Sequence, residues 1–192
     1  MSDGHIPIHT ETDEALAGRI AQNDTLAFDE IYRRYSNRLL HYFYRMLGGN
    51  ESLAQDLLQE TCIKLIEKAH TFREDGRFRS WLFSIAHNLC LNIFRSKQKF
   101  GASLSDNANH DSIKEVPEWD ERIDHDRFMG ALHTELTDLD AVKRSIFLLR
   151  FQEHYSIREI SQIMDCPEGT VKSRLFHTTR YLSGRLQDYK EI

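Results

Sequence analysis

Residues 156–177, SIREISQIMDCPEGTVKSRLFH, predict two short helices joined by a tight turn. Ser156 and Glu159 have the S-x-x-E spacing of a capping box, which satisfies free backbone amides at the start of a helix. Pro167 suits the first position of the second helix, because its missing N–H costs nothing there. Val171 begins the inward stripe of that helix, and another face carries Thr170, Ser173, Arg174 and His177, with Lys172 beside it. This layout is typical of a helix-turn-helix that enters a DNA major groove, although similar helix pairs occur in many other all-helical proteins.

The charge of the chain is unevenly distributed, so a net charge of −5 does not oppose DNA binding. Residues 28–100 carry four more basic than acidic residues, and residues 141–192 carry three more. Between these segments, residues 101–140 carry eight more acidic than basic residues. Local charge governs phosphate binding more than the total does, and two basic segments are available for it.

The composition is ordinary for a soluble globular protein, with 40% hydrophobic and 29% charged residues. No apolar run approaches the roughly 20 residues that span a bilayer, and the N-terminus lacks the basic and apolar parts of a secretion signal. Three cysteines, Cys62, Cys90 and Cys166, are too few and too scattered for a disulfide framework. We therefore expect a protein of the reducing cytoplasm.

Helical periodicity runs through residues 28–95 and resumes near Arg122, whereas alternating strand patterns are absent. Residues 96–121 are rich in loop-forming and acidic residues. The chain is therefore predicted to be all-α, with two small helical domains joined by a flexible acidic linker. In the first domain, the spacing of Ser52 and Gln55 predicts a second capping box at the start of a helix.

The polar loop from His70 to Phe78 combines the cations Arg73 and Arg77 with the rings of Phe72 and Phe78. Such a combination suits single-stranded nucleic acid, because the charges follow the phosphates while the rings stack on bases. Burial in the core is the more common fate of aromatic side chains, so Phe72, Phe78 and Trp81 have an equally simple structural explanation.

Three motifs, taken together and in this order, resemble an extracytoplasmic-function (ECF) sigma factor of bacterial RNA polymerase, in group IV of the sigma-70 family. They are AQDLLQETC at residues 54–62, FRSWLFSIAHN at residues 78–88 and MDCPEGTVKSRLF at residues 164–176. The resemblance covers roughly residues 20 to 185. It implies a non-catalytic specificity subunit that binds the core polymerase and directs promoter-specific initiation, in a stress or envelope response under the control of an anti-sigma factor.

The resemblance also implies a division of the chain into an acidic N-terminal tail, sigma region 2, a linker and sigma region 4: residues 1–22, 23–97, 98–122 and 123–188. Region 2 would bind the core polymerase and recognise and melt the −10 promoter element, while region 4 would bind the −35 element as duplex. The motif match places core binding on Asp56, Gln59 and Glu60. It places −10 contacts on Arg73, Arg77, Phe78, Arg79, Ser80, Trp81 and Asn88. The −35 contacts would be Thr170, Lys172, Ser173, Arg174 and His177.

Two other classes of protein fit the sequence less well. A stand-alone helix-turn-helix regulator would need a sensor or dimerisation domain, which residues 1–100 do not suggest. An enzyme could use His87 and Cys90 as metal ligands, but no second ligand pair has zinc spacing. We expect no catalytic residue, no metal and no cofactor.

Overall fold

The computed structural model describes residues 7–73, 76–99 and 121–187, and within these ranges the protein is helical with no β-strand. Eight α-helices are present in the described residues: α1 Asp13–Ile20, α2 Thr25–Met46, α3 Glu51–Lys68, α4 Phe78–Lys99, α5 Glu121–Thr137, α6 Ala141–Phe151, α7 Ile157–Ile163 and α8 Glu168–Arg185. Short 3-10 turns lie at Ile8–Thr10 and Ala69–Thr71. The predicted all-α class is confirmed. Most of the predicted linker, residues 100–120, lies outside the described residues.

The longest helix of the N-terminal half, α2, follows from its capping residue and its apolar spacing. Asp24 accepts hydrogen bonds from the backbone N–H groups of Leu26 and Ala27, at 3.0 and 3.3 Å. Its buried side chains recur every three or four residues and form one stripe: Ile31, Tyr35, Leu39, Tyr42, Phe43 and Met46. After α2, Gly48 and Gly49 adopt φ values of 66° and 87°, which favour glycine and end the helix.

The N-terminal segment is folded over part of the range predicted as an acidic tail. Helix α1 buries Leu16, Ala17 and Ile20 against the core, and Thr12 caps its first turn. Arg34 of α2 holds the preceding turn by donating to the backbone oxygens of residues 8, 9 and 11. Only two of the eight residues of α1 are acidic, and its apolar side chains explain why it packs rather than remaining solvated.

Helix α3 begins two residues earlier than the predicted capping box. Asn50 is the N-cap, and its side chain accepts a hydrogen bond from the backbone N–H of Leu53 at 2.9 Å. Gln55 instead donates to Glu51 on the surface. Asparagine is as good an N-cap as serine, which accounts for the shift.

Helices α1–α4 form a first helical group and α5–α8 a second, and the two groups pack against each other. Arg144 of α6 is buried, and it donates hydrogen bonds to the backbone oxygens of Met46 in the first group and of Thr137 and Leu139 in the second. Beside it, the hydroxyl of Ser145 lies 2.8 Å from the Tyr42 hydroxyl and 2.9 Å from Nδ1 of His87. The joint between the groups is therefore a buried polar seam as well as an apolar contact.

No helix in the described ranges combines the length and the apolar character that crossing a bilayer demands.

Candidate nucleic-acid interface

The predicted docking residues lie together on one face of α3. Asp56 and Gln59 are exposed, and Glu60 is partly exposed with its carboxylate 3.6 Å from Nζ of Lys64. Ile63 and Ile66 are each about half exposed, and helical spacing places them on the same face. Sequence reasoning missed these two residues, although their spacing from Gln59 is a usable signal. An exposed apolar pair beside acidic groups suits a protein interface.

The predicted −10 residues differ in their exposure to solvent. Arg73, Arg77 and Asn88 are exposed, and Arg79 and Trp81 are partly buried. Phe78 has no exposed surface, because Phe72, Tyr35 and Trp81 surround its ring with centroids 5.7 to 5.8 Å away. Ser80 is also buried. In this arrangement the side chains of Phe78 and Ser80 cannot touch DNA, and Phe78 serves the core.

The start of α4 is held in place by residues far away in sequence. Oε1 of Glu14 in α1 accepts a hydrogen bond from the backbone N–H of Phe78 at 3.1 Å. An acceptor with negative charge is favourable there, because the first amides of a helix lack partners. The backbone N–H of Gly76 donates to the Arg73 oxygen at 2.8 Å, and a Cβ at Gly76 would lie 2.9 Å from that oxygen. These contacts fix the backbone at Gly76 and at the first residue of α4.

The second helical group contacts two basic residues at the start of α4. Nη1 of Arg77 lies 2.7 Å from Oε1 of Glu159 in α7. Arg79 donates to the backbone oxygen of Glu153, and its Cζ lies 4.0 Å from the centre of the Tyr155 ring. The Tyr155 hydroxyl in turn donates to the backbone oxygen of Arg79 at 3.0 Å. One predicted DNA contact, Arg79, is therefore occupied by protein partners, whereas Arg77 stays 69% exposed beside Glu159.

The predicted helix-turn-helix consists of α7 and α8. The capping box of Ser156 and Glu159 is present in full. Pro167 is the N-cap of α8 rather than its first residue. Asp165 takes a φ of 47° in the turn, a conformation that Asp tolerates because its short side chain can bond locally. Gly169 has no atom within 4 Å of an added Cβ, which leaves room for a close approach.

Four of the predicted −35 residues, Thr170, Ser173, Arg174 and His177, lie on one face of α8, and Lys172 is accessible beside that face. Val171, Thr178 and Leu182 hold the helix on the core, which leaves Lys172, Ser173 and His177 exposed and Thr170 and Arg174 partly exposed. Lys172 has one distant acidic neighbour, Glu168, at 3.9 Å. The ring of Phe176 is 59% exposed on the same helix, a residue that sequence reasoning missed. An exposed aromatic ring between cations offers an apolar contact to a thymine methyl group.

Burial shifts the titration of several ionisable groups in the core. Burial raises the pKa of the Cys90 thiol far above its usual range and raises that of Cys62. Burial, with repulsion from Arg95, lowers the pKa of His87 to about 4. No group of three or more His, Cys, Asp and Glu side chains that could hold a metal ion occurs among the described residues.

Comparison with known proteins gives this arrangement a family. The sequence profile of Sigma-70 region 2 matches residues 31–100, and that of Sigma-70, region 4 matches residues 129–180. The ECF RNA polymerase sigma-E factor of Haemophilus influenzae is 27% identical over 183 residues, which cover 92% of this chain and 96% of the relative. The RNA polymerase sigma-H factor of Pseudomonas aeruginosa is 28% identical over 185 residues, covering 92% and 95%.

Two solved structures share the fold. CnrH in complex with the cytosolic domain of CnrY has a TM-score of 0.67 at 22% identity, covering 93% of this chain and 99% of that one. RpoE in complex with the anti-sigma factor NepR, from Bartonella quintana, has a TM-score of 0.66 at 21% identity, covering 83% and 96%. The protein is thus a bacterial transcription initiation factor of the sigma-70 type. Within that family the chain belongs to the ECF sigma factors, which are specificity subunits and not enzymes.

Proposed function

We propose that this sigma factor docks on the core polymerase through the exposed face of α3 and binds promoter DNA through two separate surfaces. The face of α8 would bind the −35 element, and the loop and start of α4 would bind the −10 strand. The observation that carries the proposal is the accessibility of Asp56, Gln59 and Glu60 beside Ile63 and Ile66. Acidic groups steer association with a basic partner surface. Burial of the two isoleucine side chains at the interface removes apolar surface from water and so stabilises the complex.

The −10 function requires the two helical groups to separate. In the described arrangement, which we call closed, Arg79 is bound by the backbone oxygen of Glu153 and the ring of Tyr155, and Arg77 has one ion pair with Glu159. A strand of DNA cannot reach the Arg79 guanidinium until its contacts break. We therefore infer that the described arrangement is the form held away from the promoter, and that the anti-sigma factor expected for this chain in the cytoplasm stabilises it. One of the two structural neighbours, RpoE, is a sigma factor in complex with an anti-sigma factor.

Core binding tests the docking surface directly. The purified full chain is mixed with bacterial core RNA polymerase and co-elution is measured, beside the double variant Asp56→Arg/Glu60→Arg. We expect the wild type to co-elute and the double variant to bind at least tenfold more weakly, because two charges reverse on the docking face. A matched control, Glu51→Arg/Asp138→Arg, reverses two exposed acidic residues outside that face and should bind as the wild type does.

The other outcomes are informative. Equal binding by all three proteins would move the docking surface away from this face of α3. Failure of the folded wild type to bind active core would favour a stand-alone helix-turn-helix regulator, whose duplex binding would then persist without polymerase.

A further inference from the structure

A buried carboxylate at the joint between the helical groups is paired with an arginine that no motif assigns. Glu153, in the turn between α6 and α7, is 3% exposed. Its Oε2 accepts hydrogen bonds from Nε and Nη2 of Arg38 in α2, at 3.0 and 2.8 Å. The backbone oxygen of the same residue accepts from Arg79. Two guanidinium groups of the first helical group therefore converge on one residue of the second.

An aromatic ring completes this contact. The Tyr155 ring lies under the Arg79 guanidinium, 4.0 Å from Cζ, and packs edge-on against Phe83 at 5.4 Å. The turn that presents Glu153 and Tyr155 has His154 at a φ of 58°, which points the two flanking side chains into the first helical group. Both flanking residues are buried, whereas His154 is exposed.

The contacts made by this turn are those that a nucleotide would make. Guanidinium groups bind carboxylate and phosphate oxygens with the same forked geometry, and an aromatic ring stacks on a guanidinium as a base does. We propose that Arg38 and Arg79 form a binding site for a phosphodiester of the single-stranded −10 DNA, and that Glu153 and Tyr155 fill this site in the closed form. The proposal rests on the −10 function proposed above for the start of α4.

The site is able to exchange its occupant. The Arg38 side chain is 39% exposed, so its guanidinium already has an open side toward water. Nε of Arg79 is buried without a hydrogen-bond partner in the protein, so Arg79 has a donor that Glu153 and Tyr155 do not use. A buried ion pair adds little net stability, because desolvation offsets the attraction. Replacement of the carboxylate by a phosphate keeps Arg38 paired and returns Glu153 to water, so the exchange loses no ion pair.

Binding of single-stranded DNA by the full chain tests this assignment. The probe is a fluorescently labelled 20-nucleotide single-stranded DNA of mixed sequence, and its affinity is measured between 50 and 200 mM salt. We expect Glu153→Gln to raise affinity at least threefold, because the neutral amide no longer competes for Arg38. In that background, Arg38→Ala should lower affinity at least threefold and reduce the salt slope by about 0.7, the value of one single-strand phosphate contact.

The matched control is Arg33→Ala, which removes the same charge from the same helix. Arg33 lies five residues before Arg38, on another side of α2. Its side chain is 66% exposed and pairs with Glu30. If Arg38→Ala and Arg33→Ala change affinity and salt slope equally, the proposal is wrong. If Glu153→Gln leaves single-strand affinity unchanged, Glu153 does not compete with DNA for Arg38, and the proposal is equally overturned.

A charge swap separates phosphate binding from a merely structural ion pair. Arg38→Glu/Glu153→Arg restores the pair with its direction reversed. We expect single-strand affinity to stay below that of the wild type, because Arg38 itself is missing from the DNA site. Recovery to the wild-type value would show that Arg38 serves the joint alone. Core co-elution depends on α3 and not on Arg38. If the protein binds core normally and its single-strand affinity is unaffected by Arg38→Ala, this inference is overturned while the proposed docking surface stands.

Discussion

The two surfaces proposed for promoter DNA differ in how accessible they are. On α8, Lys172, Ser173 and His177 face solvent with few protein partners. At the start of α4, Arg79 is partly buried and is bound by residues of the second helical group, whereas Arg77 pairs with Glu159 and stays 69% exposed. The same arrangement of the chain therefore leaves the proposed duplex-binding surface open and closes the part of the proposed single-strand surface at Arg79. Control by closure would act on promoter opening more than on contact with duplex.

The contrast has a physical basis in what each surface must bind. Duplex DNA presents regular phosphates and groove edges, and a preformed helix face can meet them without rearrangement. Single-stranded DNA must be stacked and held between rings and cations, which requires a recessed site. A recessed site is also one that a loop of the same protein can fill. The turn at Glu153 and Tyr155 has the charge and the ring to do so.

The largest effect is expected from Arg144→Ala, which removes the buried guanidinium that links the two helical groups. Three backbone oxygens lose a buried charged donor, and leaving such groups unpaired costs about 3 kcal/mol in the free energy of unfolding. Urea unfolding followed by circular dichroism measures this loss. Arg158→Ala, on the exposed face of α7, is the control and should change stability by less than about 0.5 kcal/mol. Equal stability of the two variants would mean that the seam does not hold the groups together.

The next largest effect should appear on the open surface. Lys172→Ala/Arg174→Ala removes two cations from α8, and we expect duplex −35 affinity to fall by about tenfold or more, at a cost of about 1–3 kcal/mol for a base contact. Single-strand affinity of the same variant should stay within twofold of the wild type. The two measurements use fluorescence anisotropy on matched probes. A parallel loss on both probes would break the distinction between the surfaces.

A smaller effect is expected from pH at the seam. The pKa of His87 is about 4 in the closed form because burial, with Arg95 nearby, disfavours the charged imidazolium, whereas its ordinary value is 6.5. Between these values the unfolded chain binds the proton more readily, so stability is full above pH 6.5 and falls as pH drops toward 4. At pH 5 the loss should be about 1–2 kcal/mol relative to pH 7.

His87→Asn provides the comparison for this pH effect. Asparagine places a hydrogen-bonding atom near the position of Nδ1 and does not titrate. We expect its unfolding free energy to change less between pH 7 and pH 5 than that of the wild type. If both proteins lose the same stability over that range, other groups account for the pH dependence and His87 does not report on the joint.

Much of the architecture could be predicted from local sequence. The capping box of Ser156 and Glu159, the glycines after α2 and the apolar stripe of α2 act within a few residues of each other. Their effects on backbone amides and helix periodicity therefore do not depend on the rest of the chain. The three motifs also predicted the family, which the comparisons confirm. The specific DNA and polymerase contacts stay predictions.

The tertiary structure decided which of the candidate residues are accessible. Phe78 and Arg79 are neighbours in one motif, yet one is enclosed by rings and the other is bound by a turn more than seventy residues away. The sequence did not predict helix α1, because its few apolar side chains stabilise a helix only when they pack against the core. The pairing of Arg38 with Glu153 spans 115 positions along the chain. Local sequence fixes propensities and faces, whereas burial and charge pairing depend on which distant segments meet, and that meeting selects the surfaces left open to DNA.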